Sequence, residues 1–178
     1  MRRLFTILVL IFLTSNTVLS QSQSIKFDTS NLKKQATEMA ESFMLSDYKT
    51  LVKYTYPKVV QMMGGEQKML NSINEGLTEM KEQGYIIKSV QVGLTDQSVR
   101  AGKEIHTFLT QTLTMSVPRG TVIANSYLLA ISLDGGNRWY FLDSTPLSDE
   151  EKLKSIFPNF NHSLKIPKKQ QPIFVESQ

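Results

Sequence analysis

The sequence predicts an α+β domain: N-terminal helices packed on an antiparallel sheet, then a short C-terminal helix and an extended tail. Three observations carry this prediction. From Leu32 to Met80, apolar residues recur at helical spacing. From Tyr85 to Ser144 the period is two. Gly84 stands between the two halves, where a helix C-terminal cap is expected.

The first segment, residues 1–20, reads as a secretory signal peptide. Arg2 and Arg3 form the positive start, residues 4–13 the apolar core, and Val18 and Ser20 the −3 and −1 positions of a cleavage before Gln21. A bilayer span needs about 20 apolar residues, and this core is about half that. Cleavage leaves no stable membrane anchor and lowers the formal charge from +4 to +2. That charge gives no reason to expect nucleic acid as a partner. The chain has no Cys, which excludes disulfides, thiolate metal sites, a Cys nucleophile and a lipoprotein anchor. Export without Cys fits a bacterial periplasmic or secreted protein. The 178 residues then divide into a signal (1–20), a polar leader (21–30), one domain (31–157) and a tail (158–178).

A helix is expected over 31–45, because Leu32, Ala36, Met39, Ala40 and Phe43 share one face. Ser46 and Asp47 are caps for a short helix carrying Tyr48, Leu51 and Val52. Pro57 opens a further helical piece over 57–63, which Gly64-Gly65 ends. A long helix follows over 66–83, with Met69, Leu70, Ile73, Leu77 and Met80 on one side. Methionines fill irregular helix–sheet gaps, and that is the reading taken for the six in this half rather than a copper site.

Strands are expected over 85–93, 103–117, 121–133 and 138–144. In Val117-Pro118-Arg119-Gly120-Thr121, Pro suits the second position of a type I turn and Gly the bulge after it. This pairs Val117 with Thr121 and fixes the faces. Ile105, Leu109, Leu113, Ile123, Tyr127, Leu129 and Ile131 then face the helices, with Tyr140 and Leu142. His106, Phe108, Trp139 and Phe141 take the other face, and the tail is expected to cover its aromatic end. Ser148-Asp149-Glu150-Glu151 is a capping box opening a short helix to Phe157. Ser132-Leu133-Asp134-Gly135-Gly136-Asn137-Arg138-Trp139 looks like a single Asp box of the kind repeated in sialidase-like propellers, and is read as a hairpin stabiliser. Lys165, Lys168 and Lys169 are read as a solvated cluster.

Gly-x-Ser-x-Gly, His-Glu-x-x-His and phosphate-cradling glycine loops are all absent from the sequence. The candidate site is instead a polar interruption of the helix-facing rows. Gln111 lies between Leu109 and Leu113, the expected register sets it opposite Tyr127, and Asn125 is the next same-face residue. Such groups orient a small ligand in a pocket, or satisfy one another or a buried water. Tyr54 and Tyr56 line the pocket mouth or pack in the core.

The chain resembles the NTF2-like superfamily. The residues that carry this are Asp47-Tyr48-x-x-Leu51, Tyr54-x-Tyr56-Pro57-x-Val59-Val60, Gly64-Gly65 before the long helix, and Trp139-Tyr140-Phe141-Leu142-Asp143 ending the long strands. The resemblance implies a cone, in which helices pack into a strongly bent sheet around a pocket. It implies a module, monomer or homodimer, that binds a small hydrophobic or amphipathic ligand or a protein partner. Alternatives are a dehydratase or isomerase with a His or Asp base in the cone, or a structural envelope-interaction protein. His106 and Asp143 both fall on the face away from the expected pocket, so no catalytic residue, cofactor or metal is assigned.

Overall fold

The computed structural model describes Ile25 and residues 27–176. The expected signal segment lies outside the described residues. Helix α1 (Thr29–Met44) begins where Asp28 accepts the backbone N–H groups of Ser30 and Asn31 at 2.9 and 3.2 Å. Asp47 likewise caps α2 (Tyr48–Tyr54) by accepting Thr50 N–H at 3.2 Å. Pro57 opens α3 (Pro57–Met62), and α4 (Glu66–Glu82) follows the glycine pair. The chain then becomes extended as β1 (Ile86–Ala101), β2 (Glu104–Val117), β3 (Gly120–Ser132) and β4 (Tyr140–Asp143). A 3-10 turn (Thr145–Ser148), helix α5 (Glu150–Ile156) and the short strand β5 (Ile173–Glu176) complete the order. Among the described residues, no helix is long and apolar enough to cross a membrane.

The sheet is antiparallel with strand order β1-β2-β3-β4. Strand β5 pairs with β3 over Gly120 to Ile123, and β4 pairs with β3 over Leu128 to Ile131. Helices cover one face of the sheet. There Leu32, Ala36 and Met39 of α1 pack on Leu109, Ala130 and Trp139. On the other face Phe108, Leu129 and Ile131 lie under Leu153, Phe157 and Leu164.

The structure corrects the expected register by one residue. Val117 pairs with Gly120 rather than with Thr121, so Pro118-Arg119 alone makes the turn. Gly120 is a strand residue, and what it requires is space. A Cβ there would lie 2.1 Å from the Val175 carbonyl oxygen of β5. A one-residue slip exchanges the two faces of a strand. Ile123, Tyr127, Leu129 and Ile131 therefore join Phe108 on the face away from α1, and Tyr140 and Leu142 go with them through β4. Trp139 and Phe141 instead face the helices. The expected tail cover exists for Phe108 and not for these two. Trp139 is fully buried against Phe27, at 4.9 Å between ring centroids, and its backbone N–H donates to Gln35 Oε1 at 3.0 Å.

Two smaller differences have local causes. Strand β1 runs on to Ala101, because register shifts between Ile87/Ser89 and Leu94/Ser98 absorb residues that break the alternation. Asp149, and not Ser148, caps α5, accepting Glu151 and Lys152 N–H at 3.0 and 3.1 Å. The loop between β3 and β4 is held from within: Asp134 Oδ1 accepts the Ser132 hydroxyl and the N–H groups of Asn137 and Arg138, at 2.9 to 3.1 Å. Burial raises the Asp134 carboxyl, but these hydrogen bonds outweigh it and hold it below its ordinary value.

Candidate functional site

Where α1 ends, the helices and the sheet part. A cavity of about 390 Å³ opens between them. Met39 and Phe43 of α1, Met69 and Ile73 of α4, and Val90 and Leu113 of the sheet give it apolar walls. Gln111, Tyr54, Thr55 and Asp143 are its polar members. The sequence dictates this local arrangement. Val90, Gln111 and Leu113 are half-buried and occupy the helix-facing row of β1 and β2, where the strands run beyond the tight core of Leu109 and Ile105.

Gln111 sits on the cavity floor opposite Ser126, whose hydroxyl donates to Gln111 Oε1 at 3.2 Å. Its amide nitrogen remains a donor for a guest. Tyr54 is buried at the wall, and its hydroxyl donates to Glu38. Burial, then the hydrogen bond and charge of Glu38, pushes the Tyr54 phenol up to about 12, against the opposing pull of Arg138. The Arg138 guanidinium carbon stands 4.6 Å from the Tyr54 ring centroid, a cation–π arrangement that fixes the ring.

Of the five residues expected to line one pocket, Gln111 and Tyr54 do so. Asn125, Tyr127 and Tyr56 lie on the other face, and the expected Gln111–Tyr127 neighbourhood does not exist. Thr112 faces Asn125 and donates to its Oδ1 at 2.9 Å. The Tyr127 hydroxyl accepts from Gln170 Nε2 of the tail at 3.2 Å. Tyr54 and Tyr56 separate because Tyr54 still belongs to helix α2 and packs on Phe141 at 6.0 Å between ring centroids, whereas Tyr56 follows the extended residue Thr55, precedes α3 and packs on Phe157 at 5.0 Å. Asp143, by contrast, lies with Leu128 and Phe141 on the cavity side.

On the far face a second cluster forms, which the sequence reading missed. Tyr56 donates to Glu104 Oε1 at 2.9 Å, and Glu104 Oε2 lies 2.7 Å from His106 Nε2. His106 is fully buried, against Phe157 at 5.2 Å and Phe160 at 5.9 Å between ring centroids. Facing a carboxylate, Nε2 is the protonated nitrogen. Nδ1 is buried and has no protein partner among the described residues. Burial raises the Glu104 carboxyl, but hydrogen bonds from His106 and Tyr56 prevail and hold it below its ordinary value. Burial, with Glu104, pushes the Tyr56 phenol well up, which makes it a donor and not a nucleophile. The signal was Glu104-x-His106: residues two apart on a strand share a face.

Among the described residues, no group of three or more His, Asp or Glu side chains is placed to hold a metal ion. Neither a protein-family model, nor a curated protein, nor a solved structure matches the chain.

Proposed function

We propose that this chain is an exported, NTF2-like binding module that holds a small hydrophobic or amphipathic ligand between its helices and its sheet. The observation that carries the reading is the cavity itself: about 390 Å³, apolar-walled, with Gln111 offering an amide from the floor. That size and that sparse polarity are typical of small-molecule sites. The NTF2-like reading draws support from the order of elements, helices first and long antiparallel strands after, and from the position of the cavity between the layers. Export draws its support from the signal-like segment 1–20.

The test is direct. N-phenylnaphthylamine, an uncharged apolar fluorophore, is titrated into purified protein that has been stripped of bound lipid. The emission is expected to rise and saturate. Leu113→Trp fills the floor and is expected to abolish the rise while circular dichroism stays unchanged. A fluorophore that binds equally well to Leu113→Trp, or not at all to the parent, rejects the reading.

A further inference from the structure

The long helix α4 is not seated like α1. It packs mainly on α2 and α3, and only Leu70 along its 17 residues is buried. Met69, Ile73, Leu77 and Met80 form its sheet-facing stripe, and all four stay half-buried. Two hollows underlie them. The first is the cavity just described, beneath Met69 and Ile73. The second, about 240 Å³, lies beneath Leu77 and Met80 and is floored by Ile86 and Ile87. Phe43 lines both, so the two hollows share a wall at that side chain. Gly65 and Gly84, with φ of 98° and 81°, bracket the helix at its two ends. These are backbone conformations that a β-carbon disfavours, and such positions absorb the rotation of a hinged element.

Charge gives this double hollow a direction. The second hollow carries Lys81, with the hydroxyl-bearing Ser46 and Tyr48 beside it. Lys81 is exposed and forms no ion pair among the described residues. The first hollow is the more apolar, and its one carboxylate is Asp143 at the edge. A negatively charged head is therefore attracted to the Lys81 end and repelled from the other. From Met69 to Lys81 the helix rises about 18 Å at 1.5 Å per residue.

We infer that the ligand is a single-chain fatty acid lying under α4, with its carboxylate at Lys81 and its tail passing Phe43 to end over Leu113. The inference rests on the reading of the first cavity as a ligand site and adds the class and orientation of the ligand. Helix α4 is the lid, and Phe43 is the constriction that a long chain must thread and a short one need not.

The experiment displaces N-phenylnaphthylamine from the stripped full chain with sodium decanoate, laurate and myristate below their micelle concentrations. Affinity is expected to rise about three- to fourfold with each added methylene. Lys81→Glu is expected to weaken myristate about fivefold and leave myristyl alcohol unchanged. Phe43→Trp is expected to remove the gain beyond decanoate while the fluorophore still binds. Lys81 is on the surface, so its variant folds as the parent does. If the fluorophore binds but affinity is indifferent to chain length, or myristate is indifferent to Lys81→Glu, the fatty-acid inference fails and the cavity reading stands. If neither the fluorophore nor any fatty acid binds, both fail together.

Discussion

Tyr54 and Tyr56 are two residues apart and serve opposite sides of the sheet. The Tyr54 hydroxyl donates to Glu38 of α1, and the Tyr56 hydroxyl donates to Glu104 Oε1 at 2.9 Å beneath the C-terminal segment. The short extended step through Thr55, which bridges to Phe141, thereby anchors the α2–α3 corner to both cores. Two aromatic residues that look alike in the sequence belong to different chemistry: one to the wall of the cavity, the other to a buried carboxylate–imidazole cluster.

That cluster predicts a pH dependence. The folded value of Glu104 lies below its ordinary 4.5, so its contribution to stability is complete above that value. It is lost as pH falls from about 4.5 through the folded value. Glu104→Gln is expected to flatten this acid step in urea denaturation curves measured from pH 6 to 3. At pH 7 the same variant is expected to cost about 1–3 kcal/mol, because the hydrogen bonds of Tyr56 and His106 are no longer charge-assisted. An acid step of unchanged size in the variant would assign it to another carboxylate.

Gln35 is a second buried polar hinge. Its Oε1 accepts the Trp139 N–H at 3.0 Å and its Nε2 donates to the Asn137 carbonyl at 2.9 Å. Gln35→Leu strands the buried Trp139 backbone N–H, a loss of about 1–3 kcal/mol, while the Asn137 carbonyl keeps the hydrogen bond from Asn31 Nδ2 at 3.0 Å. The denaturation midpoint is expected to fall accordingly, with the Trp139 emission shifted to the red in the folded state.

The C-terminal segment covers the other face. Leu164 is buried there against the Phe108, Leu129 and Ile131 cluster, and Leu164→Ala is expected to cost about 2–5 kcal/mol. Removal of residues 167–178 alone leaves Leu164 and Phe160 in place and is expected to leave the Trp139 emission unaltered, since Trp139 lies under α1. A changed emission on that truncation would contradict the packing described.

Gly120 controls whether β5 docks. Gly120→Ala places a methyl group where the Val175 carbonyl oxygen now lies, so β5 is expected to detach while the β2–β3 hairpin persists. Limited proteolysis reads this out: the segment 167–178 is cut faster in the variant, and the remainder of the chain is not.

The sequence by itself determined the elements. Helical spacing from Leu32 to Met80, the caps Asp47 and Pro57, and alternation after Gly84 are local signals, and local signals depend only on neighbours along the chain. It also brought Gln111 to notice as a polar group in an apolar row, and Tyr54 as a candidate for the pocket mouth. Which side of the sheet each residue faces was decided by tertiary structure. The turn Pro118-Arg119-Gly120 is compatible with two registers one residue apart, and packing selects between them: Leu129 and Ile131 are buried under α5 and the C-terminal segment, and Ala130 under α1. Because strand side chains alternate, that one choice sent Tyr127 and Asn125 away from Gln111 and brought Phe141 and Asp143 to the cavity side. No pattern within the hairpin records it, since the contacts that fix it are made by segments the hairpin does not contain.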